Sequence, residues 1–132
     1  MFDRKTRILI VDDMMTMRKM AMKILNDIGF TDITEATNGR NAWEMISAAE
    51  PAFGLIISEW SLLETSGIEL LKRVRAEARF SKTPFILVSA QAEAKQIEEA
   101  VKAGVSSYVV KPFNAKVLKE KIEAVYKKAS GT

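Results

Sequence analysis

Acidic, hydroxyl and basic residues stand at or just after the ends of apolar segments in this chain, where they could bind a metal ion or exchange a proton. These residues are Asp12, Asp13, Glu59, Ser89 and Lys111. Carboxylates about 5 Å apart repel by roughly 3 kcal/mol per pair at an effective dielectric near 20. Three acids facing one lysine therefore predict either a bound divalent cation with oxygen ligands, such as Mg²⁺, or an acid that takes up a proton with a raised pKa.

Strand-like and helix-like hydrophobic periods alternate five times along the sequence, which predicts a (βα)5 fold. Three of the strands are apolar throughout, as a parallel sheet covered by helices on both faces requires. The predicted fold class is therefore α/β, with a doubly wound parallel sheet of five strands. Because such sheets bind ligands at the carboxyl ends of their strands, the five residues named above are expected to share one edge.

The first helix is predicted from apolar residues at i, i+3, i+4 and i+7, which run from Met14 to Ile28. Five of the seven methionines of the chain lie between Met14 and Met22. The spacing assigns Met14, Met17 and Met20 to the buried face of the helix, so core packing is favoured over a soft-metal site.

Two further helix starts are predicted from residue pairs spaced as capping boxes. Asn41 pairs with Glu44 in the second helix, and Ser66 pairs with Glu69 in the third. The third helix is expected to bury one apolar stripe. That stripe consists of Ile68, Leu71, Val74 and Ala78.

The composition excludes several classes of site. The sequence has no cysteine and no histidine, which excludes disulfides, thiolate zinc sites, thiol nucleophiles and phosphohistidine, and removes the commonest general base. The acidic loop after the first strand has no glycine-rich cradle, which argues against nucleotide binding. A net charge of +3 is too small to predict binding to nucleic acid.

Length and composition predict a single domain over residues 1–132, of which 48% are hydrophobic and 28% charged. No apolar stretch approaches the length of a membrane span, and the first residues lack the apolar segment of a signal peptide. We therefore expect a cytoplasmic protein without membrane insertion. No helix-turn-helix is expected, which argues against a transcription factor.

Four motifs together resemble the receiver domains of response regulators in two-component signalling, over nearly the whole chain. The motifs are Asp12-Asp13 followed by Thr16-Met17-Arg18, Gly67-Ile68-Glu69-Leu70-Leu71, Val88-Ser89-Ala90 and Tyr108-Val109-Val110-Lys111-Pro112-Phe113. The chain looks closest to the single-domain, CheY-like receivers of chemotaxis. The resemblance implies a flavodoxin-like fold, a role in a phosphorelay and no enzyme activity. It also implies a monomer that binds a histidine kinase, a flagellar motor switch-type protein, or both.

The resemblance also implies roles for individual residues. Asp12 and Asp13 match the acids that hold Mg²⁺ together with the residue at position 59, and Ser61 matches a residue whose backbone carbonyl binds the metal. Three residues match the switch that responds to phosphorylation. They are Ser89 as the hydroxyl, Tyr108 as the rotating aromatic and Lys111 as the lysine that contacts the phosphoryl group. The peptide bond from Lys111 to Pro112 is expected to be cis.

Glu59 is the departure from the family pattern, because receivers carry the phosphate-accepting aspartate at this position. A glutamate places its carboxylate about 1.5 Å further out. It could therefore pair with Lys111 and accept a hydrogen bond from Ser89, which predicts a phosphorylation-defective protein or a partial mimic of the phosphorylated state, with weak Mg²⁺ binding. The alternative is an inert scaffold in which Glu59 only fills space. The sequence does not distinguish a natural Glu59 from an engineered one.

A small aspartate-dependent phosphatase is the alternative from a different functional class, because its first strand also ends in acids. Such enzymes usually separate the two aspartates by one residue, whereas Asp12 and Asp13 are adjacent. The signalling interpretation is therefore favoured. Trp60, next to Glu59, is interpreted as a wall of the pocket.

Overall fold

The computed structural model describes residues 3–130, in which strands and helices alternate as the sequence predicts. The strands are β1 (Ile8–Val11), β2 (Ile33–Ala36), β3 (Leu55–Glu59), β4 (Phe85–Ser89) and β5 (Ser107–Val110). The α-helices are α1 (Met15–Ile28), α2 (Gly39–Ala48), α3 (Gly67–Ala76), α4 (Ala94–Lys102) and α5 (Ala115–Ser130). A short 3₁₀ turn, Ala78–Phe80, follows α3.

The five strands form one parallel sheet in the order β2-β1-β3-β4-β5. This order is the flavodoxin-like, doubly wound topology, and it confirms the predicted fold class. Every residue of β1, β3 and β4 is buried, because these central strands have helices on both faces. The register pairs Glu59 with Val88 and Ser89 with Val110, so the strand ends that carry the functional residues lie side by side.

The core consists of two clusters, one on each face of the sheet. Helices α2, α3 and α4 cover one face, where Ile46, Leu71 and Ala100 pack against alternate residues of the strands. Helices α1 and α5 cover the other face, where Leu25 and Ile122 are buried. A fully buried leucine or isoleucine contributes about 1.5–3 kcal/mol relative to an exposed one, so both clusters hold the strand ends in place.

The start of α3 was predicted correctly and the start of α2 was not. Ser66 and Glu69 form the predicted capping box. In α2 the N-cap is Asn38, whose side chain accepts a hydrogen bond from the backbone N–H of Asn41 at 2.7 Å. The helix begins earlier than predicted because Asn38 caps it. Gly39, at its first position, lies so close to the β3–α3 loop that a Cβ atom would collide with the carbonyl of Thr65.

Three residues that were predicted to be buried are exposed. Met14 and Met20 are 54% and 38% exposed. Met14 precedes α1 and lines the open pocket that also contains Asp12 and Asp13, and the stripe that α1 buries is formed further along by Ala21, Ile24 and Leu25. Ala78 is exposed because α3 ends at Ala76.

None of the helices in the described part of the chain is long and apolar enough to cross a membrane.

Candidate functional site

One shallow pocket at the carboxyl edge of the sheet contains most of the residues that the sequence assigns to a site. It is lined by Asp12, Asp13, Met14, Glu59, Ser61, Ala90 and Lys111. The loops after β1, β3, β4 and β5 each contribute to it. The topology therefore brings together residues that are separated by up to a hundred positions in sequence.

The centre of the pocket is an ion pair between Glu59 and Lys111. The Nζ atom of Lys111 lies 2.6 Å from Oε2 of Glu59 and 3.5 Å from Oδ2 of Asp12. Oε2 is buried, and the ammonium of Lys111 is its close partner among the described residues. The bond from Lys111 to Pro112 is cis, as predicted.

Burial and the charge of the partner act in opposite directions on the pKa values of Glu59 and Lys111. Burial raises the pKa of Glu59, and the negative charge of Asp12 adds to the rise, while the ammonium of Lys111 and the backbone of Ser61 oppose it. Burial alone would lower the pKa of Lys111, but Glu59 and Asp12 raise it above its ordinary value. The lysine is therefore held in its charged form by the two carboxylates.

The acidic residues do not form a three-carboxylate metal site as they stand. Within residues 3–130, no group of three acidic side chains is arranged to hold one ion. The carboxylate of Glu59 faces Lys111, and Oδ1 of Asp12 accepts a hydrogen bond from the N–H of Met14 at 2.9 Å. Asp13 is exposed and lines the same pocket as Ser61. The oxygen donors of Asp12, Asp13 and Ser61 are of the kind that Mg²⁺ prefers.

The hydroxyl of Ser89 belongs to a separate network that extends away from Glu59. It accepts a hydrogen bond from the N–H of Gln91 at 3.1 Å and donates a long one to Oε1 of Gln96 at 3.5 Å. The phenol of Tyr108 lies 2.8 Å from the carbonyl of Gln91 and 3.2 Å from the same Oε1 atom of Gln96. Ser89 and Tyr108 are thus joined through one α4 side chain.

No hydrogen bond joins Ser89 to Glu59 among the described residues, so the contact that the sequence suggested is not formed. The alternation of side chains along a strand explains this. Glu59 lies two residues after Ile57, whose side chain packs with the cluster under α1 and α5. Ser89 lies two residues after Leu87, whose side chain packs with the cluster on the other face. The two side chains therefore leave the sheet in different directions.

The ring of Trp60 packs edge-on against Tyr108, with 6.3 Å between ring centroids. It also contacts the core cluster under α2, α3 and α4, rather than lying among the residues that line the pocket. The interpretation of Trp60 as a wall of the pocket is therefore wrong. The tryptophan is placed to report the position of Tyr108.

The sequence analysis gave no role to several residues that support the site. Arg18 donates to the carbonyl of Asp12 at 2.7 Å and to Glu35 at 2.9 Å, and so ties α1 and β2 to the acidic loop. Hydrogen bonds from Lys19 and Arg18 lower the pKa of Glu35, against a smaller opposing effect of burial. Arg18 stands in one of the quoted motifs and could have been found there. No sequence pattern indicates the role of Gln96, because that role depends on the distance between α4 and β5.

The β3–α3 loop is held tightly at both ends. The N–H of Gly67 donates to the carbonyl of Trp60 at 2.8 Å, and a Cβ atom on Gly67 would collide with the carbonyl of Glu59. Glu64 adopts a positive φ of 68° within this loop. Leu63 is 68% exposed, whereas Leu62 packs against the core.

Comparison with known proteins identifies the family. The response regulator receiver domain family matches residues 8–123. The chemotaxis protein CheY of Pseudomonas aeruginosa is 44% identical over 125 residues, which cover 95% of this chain and 99% of that protein. The chemotaxis protein CheY1 of Helicobacter pylori is 39% identical over 119 residues, which cover 90% of this chain and 95% of that protein.

Solved structures give the same result. The chemotaxis response regulator CheY4 of Vibrio cholerae superposes with a TM-score of 0.84 at 28% identity, covering 92% of this chain and 98% of that one. A CheY-like receiver domain protein from Methanospirillum hungatei superposes with a TM-score of 0.86 at 25% identity, covering 96% and 98%. The chain therefore belongs to the response-regulator receiver family and is a CheY-like receiver domain of two-component signalling.

Proposed function

We propose that this receiver acts by binding other proteins and that Glu59 makes it unable to accept phosphate in the ordinary way. The observation that carries the proposal is the 2.6 Å ion pair between Glu59 and Lys111. A receiver carries an acceptor aspartate at this position, and the longer side chain here reaches the lysine without a phosphoryl group. The positive charge of the lysine is thereby paired with a carboxylate in the resting protein.

Two features of the pair oppose transfer of a phosphoryl group to Glu59. The carboxylate oxygen that would attack is already held by the ammonium of Lys111. The extra methylene also moves this oxygen by about 1.5 Å from the place where an aspartate oxygen would lie. Phosphoryl transfer depends on in-line approach and on charges positioned around the reacting oxygens, and an error of about 1 Å can cost roughly a hundredfold in rate.

The mimicry of a phosphorylated state is partial. Glu59 supplies a negative charge to Lys111 but does not reach Ser89, whose hydroxyl bonds with Gln91 and Gln96. In the family, both the lysine and the hydroxyl respond to the phosphoryl group. We therefore propose that the lysine half of the switch is permanently engaged and that the half formed by Ser89 and Tyr108 is not.

We propose that Mg²⁺ binds weakly, through Asp12, Asp13 and the backbone carbonyl of Ser61. The ion would offset the repulsion between the two aspartates. Glu59 contributes little to this site while it is paired with Lys111, and this loss of one carboxylate is the reason for the weak binding.

We further propose that the protein works in chemotaxis, as a cytoplasmic monomer and not as an enzyme. Relatives that share 44% and 39% of its residues are named as chemotaxis proteins, which supports this assignment. Its partners would be a histidine kinase, a motor switch-type protein, or both, and binding would involve the surface near Tyr108. The protein would not bind nucleic acid.

The test is incubation with acetyl phosphate and Mg²⁺, followed by mass spectrometry of the intact protein. We expect no stable phosphate on the parent and an added phosphate on Glu59→Asp, because Asp12, Asp13, Ser89 and Lys111 are unchanged in that variant. Glu59→Gln is the matched control, since it keeps the length of glutamate without the nucleophile. Turnover of a generic phosphatase substrate by the pure parent would contradict the assignment as a non-enzyme.

Two outcomes would contradict the proposal. A phosphorylated parent would show that Glu59 does not block the chemistry. An inert Glu59→Asp variant would show that the site has lost more than its acceptor and would favour the scaffold alternative. The first place to look would be Leu62-Leu63 in the β3–α3 loop, where the family usually carries methionine-proline.

A further inference from the structure

Gln96, in the first turn of α4, is the side chain on which the hydroxyls of Ser89 and Tyr108 converge. Its Oε1 atom lies 3.5 Å from Oγ of Ser89 and 3.2 Å from the phenol oxygen of Tyr108. Its Nε2 atom donates to Oε1 of Gln91 at 3.3 Å, which fixes the orientation of the amide. The carbonyl end of Gln96 therefore faces both hydroxyls.

We propose that Gln96 is a positioning residue that couples Tyr108 to Ser89, with its side-chain carbonyl as an acceptor shared by both hydroxyls. The inference deepens the proposed function, because it states how the half of the switch that Glu59 does not reach is held. No contact between Ser89 and Tyr108 themselves is needed. A change in the hydrogen bond of Ser89 would affect Tyr108 through the side-chain amide of Gln96.

The geometry makes the two hydrogen bonds interdependent. The phenol of Tyr108 has one proton and two acceptors within reach, the carbonyl of Gln91 at 2.8 Å and Oε1 of Gln96 at 3.2 Å. The hydroxyl of Ser89 donates to the same Oε1 atom. When Ser89 turns its proton elsewhere, Oε1 becomes a better acceptor for the phenol. The state of the Ser89 hydroxyl therefore changes the balance of acceptors at Tyr108.

The location of Gln96 suits this role. Ser89 is buried, at 4% exposure, whereas Gln96 and Tyr108 are half-buried. Side chains on a helix lean toward its N-terminus, so a residue in the first turn of α4 reaches back over the loop after β4. Gln96 thus extends from the buried pocket to the partly exposed ring of Tyr108, which Trp60 contacts on its edge.

The coupling can be tested by NMR of protein labelled with ¹³C in the tyrosine rings. The chain has two tyrosines, and the conservative Tyr126→Phe variant assigns the signal of Tyr108. We expect Ser89→Ala to shift the Tyr108 ring signal in the parent. In the Gln96→Leu background, which keeps size and helix propensity but has no acceptor, we expect that shift to be at least about twofold smaller.

Two comparison variants separate coupling from general packing. Gln96→Glu keeps acceptor oxygens at the same reach and should preserve the shift that Ser89→Ala produces. Lys95→Ala alters the neighbouring exposed residue of α4 and should also preserve it. If Gln96→Leu unfolds the protein, Gln96→Met takes its place, since its linear side chain matches that of glutamine.

An equal effect of Ser89→Ala on Tyr108 with and without Gln96 would overturn the proposal, because the coupling would then follow another route. Loss of the effect in Gln96→Glu would also overturn it, since the donor end of the amide would then be responsible. The experiment uses neither a phosphate donor nor a partner. Its failure is therefore distinct from a failure of the proposed function, which the acetyl phosphate test addresses.

Discussion

The ion pair between Glu59 and Lys111 can be tested by replacing the lysine with methionine, which keeps the aliphatic stem and removes the charge. The side chains are only 9% and 17% exposed in the folded protein. Lys111→Met therefore leaves the carboxylate of Glu59 largely buried, near the carboxylate of Asp12, with no ammonium between them. We expect a loss of stability that depends on pH.

Two energies limit the loss of unfolding free energy: the cost of breaking the ion pair, and the cost of protonating Glu59 instead. Unit charges 2.6 Å apart attract by about 6 kcal/mol at an effective dielectric near 20, and breaking a buried pair typically costs about 3–5 kcal/mol. The carboxyl can also escape the penalty by taking up a proton. From its ordinary pKa of 4.5, this costs about 3.4 kcal/mol at pH 7, at about 1.36 kcal/mol per unit. We therefore expect a loss of about 3 kcal/mol at pH 7.

The sign of the pH dependence is fixed by the direction of the pKa change. Without Lys111 the pKa of Glu59 rises further in the folded state, so the folded protein binds a proton that the unfolded protein has released. Stability of the variant then falls as the pH rises above the unfolded value of 4.5. At about pH 5.5 protonation costs only about 1.4 kcal/mol, so the loss should be less than half of that at pH 7.

Urea unfolding followed by tryptophan fluorescence measures both values. A loss of about 3 kcal/mol moves the midpoint at pH 7 by about 1–3 M. The double variant Glu59→Gln with Lys111→Met has no buried carboxylate at position 59 and should lose the added pH dependence. Equal destabilisation of Lys111→Met at both pH values would refute the reasoning. A loss below about 1 kcal/mol at pH 7 would show that solvent screens the pair.

Two further predictions concern the metal site and the scaffold. Isothermal titration calorimetry should detect Mg²⁺ binding only at high concentration, and Asp13→Asn should remove that binding; saturation at low micromolar Mg²⁺ would contradict a weakened site. Arg75→Met should lower the free energy of unfolding by about 2 kcal/mol, because the guanidinium donates to Gly104 at 2.9 Å, to Phe80 at 3.2 Å and to Ser106 at 3.4 Å. Thermal unfolding beside the exposed control Lys82→Met measures this effect, and equal stability of the two variants would oppose it.

The fold could be predicted from the sequence because local signals agree with the topology. The apolar central strands require helices on both faces, and Ser66 with Glu69 specifies a helix start by contacts within one turn. The start of α2 was misplaced because Asn38 and Asn41 can both cap a helix, and the close contact of Gly39 with Thr65, between distant segments, is not visible in the sequence. Met14 and Met20 were assigned to the core because helical spacing alone does not show how wide the buried stripe is or where it begins.

The residues of the site could be predicted from the sequence, but not all of the contacts between them. The rule that ligands lie at the carboxyl ends of strands was enough to gather Asp12, Glu59 and Lys111. The sequence analysis expected Glu59 to pair with Lys111, which it does, and to accept a hydrogen bond from Ser89, which it does not. The absence of the second contact could not be predicted, because it depends on the direction in which each side chain leaves the sheet and on Gln96, which no sequence pattern indicates.

The functional residues lie on two faces of the sheet. This explains why the longer side chain of Glu59 reproduces only part of the effect of a phosphoryl group. Glu59 and Lys111 also line the small apolar pocket beside Phe113, on the face covered by α1 and α5. Ser89 and Tyr108 contact Gln96, on the face covered by α4. A phosphoryl group has three terminal oxygens in a tetrahedral arrangement and can bond in several directions at once, whereas a carboxylate is planar and has two. The carboxylate of Glu59 lies 2.6 Å from the lysine and forms no hydrogen bond with Ser89 among the described residues, which is why we propose that one face of the switch is engaged while the other stays at rest.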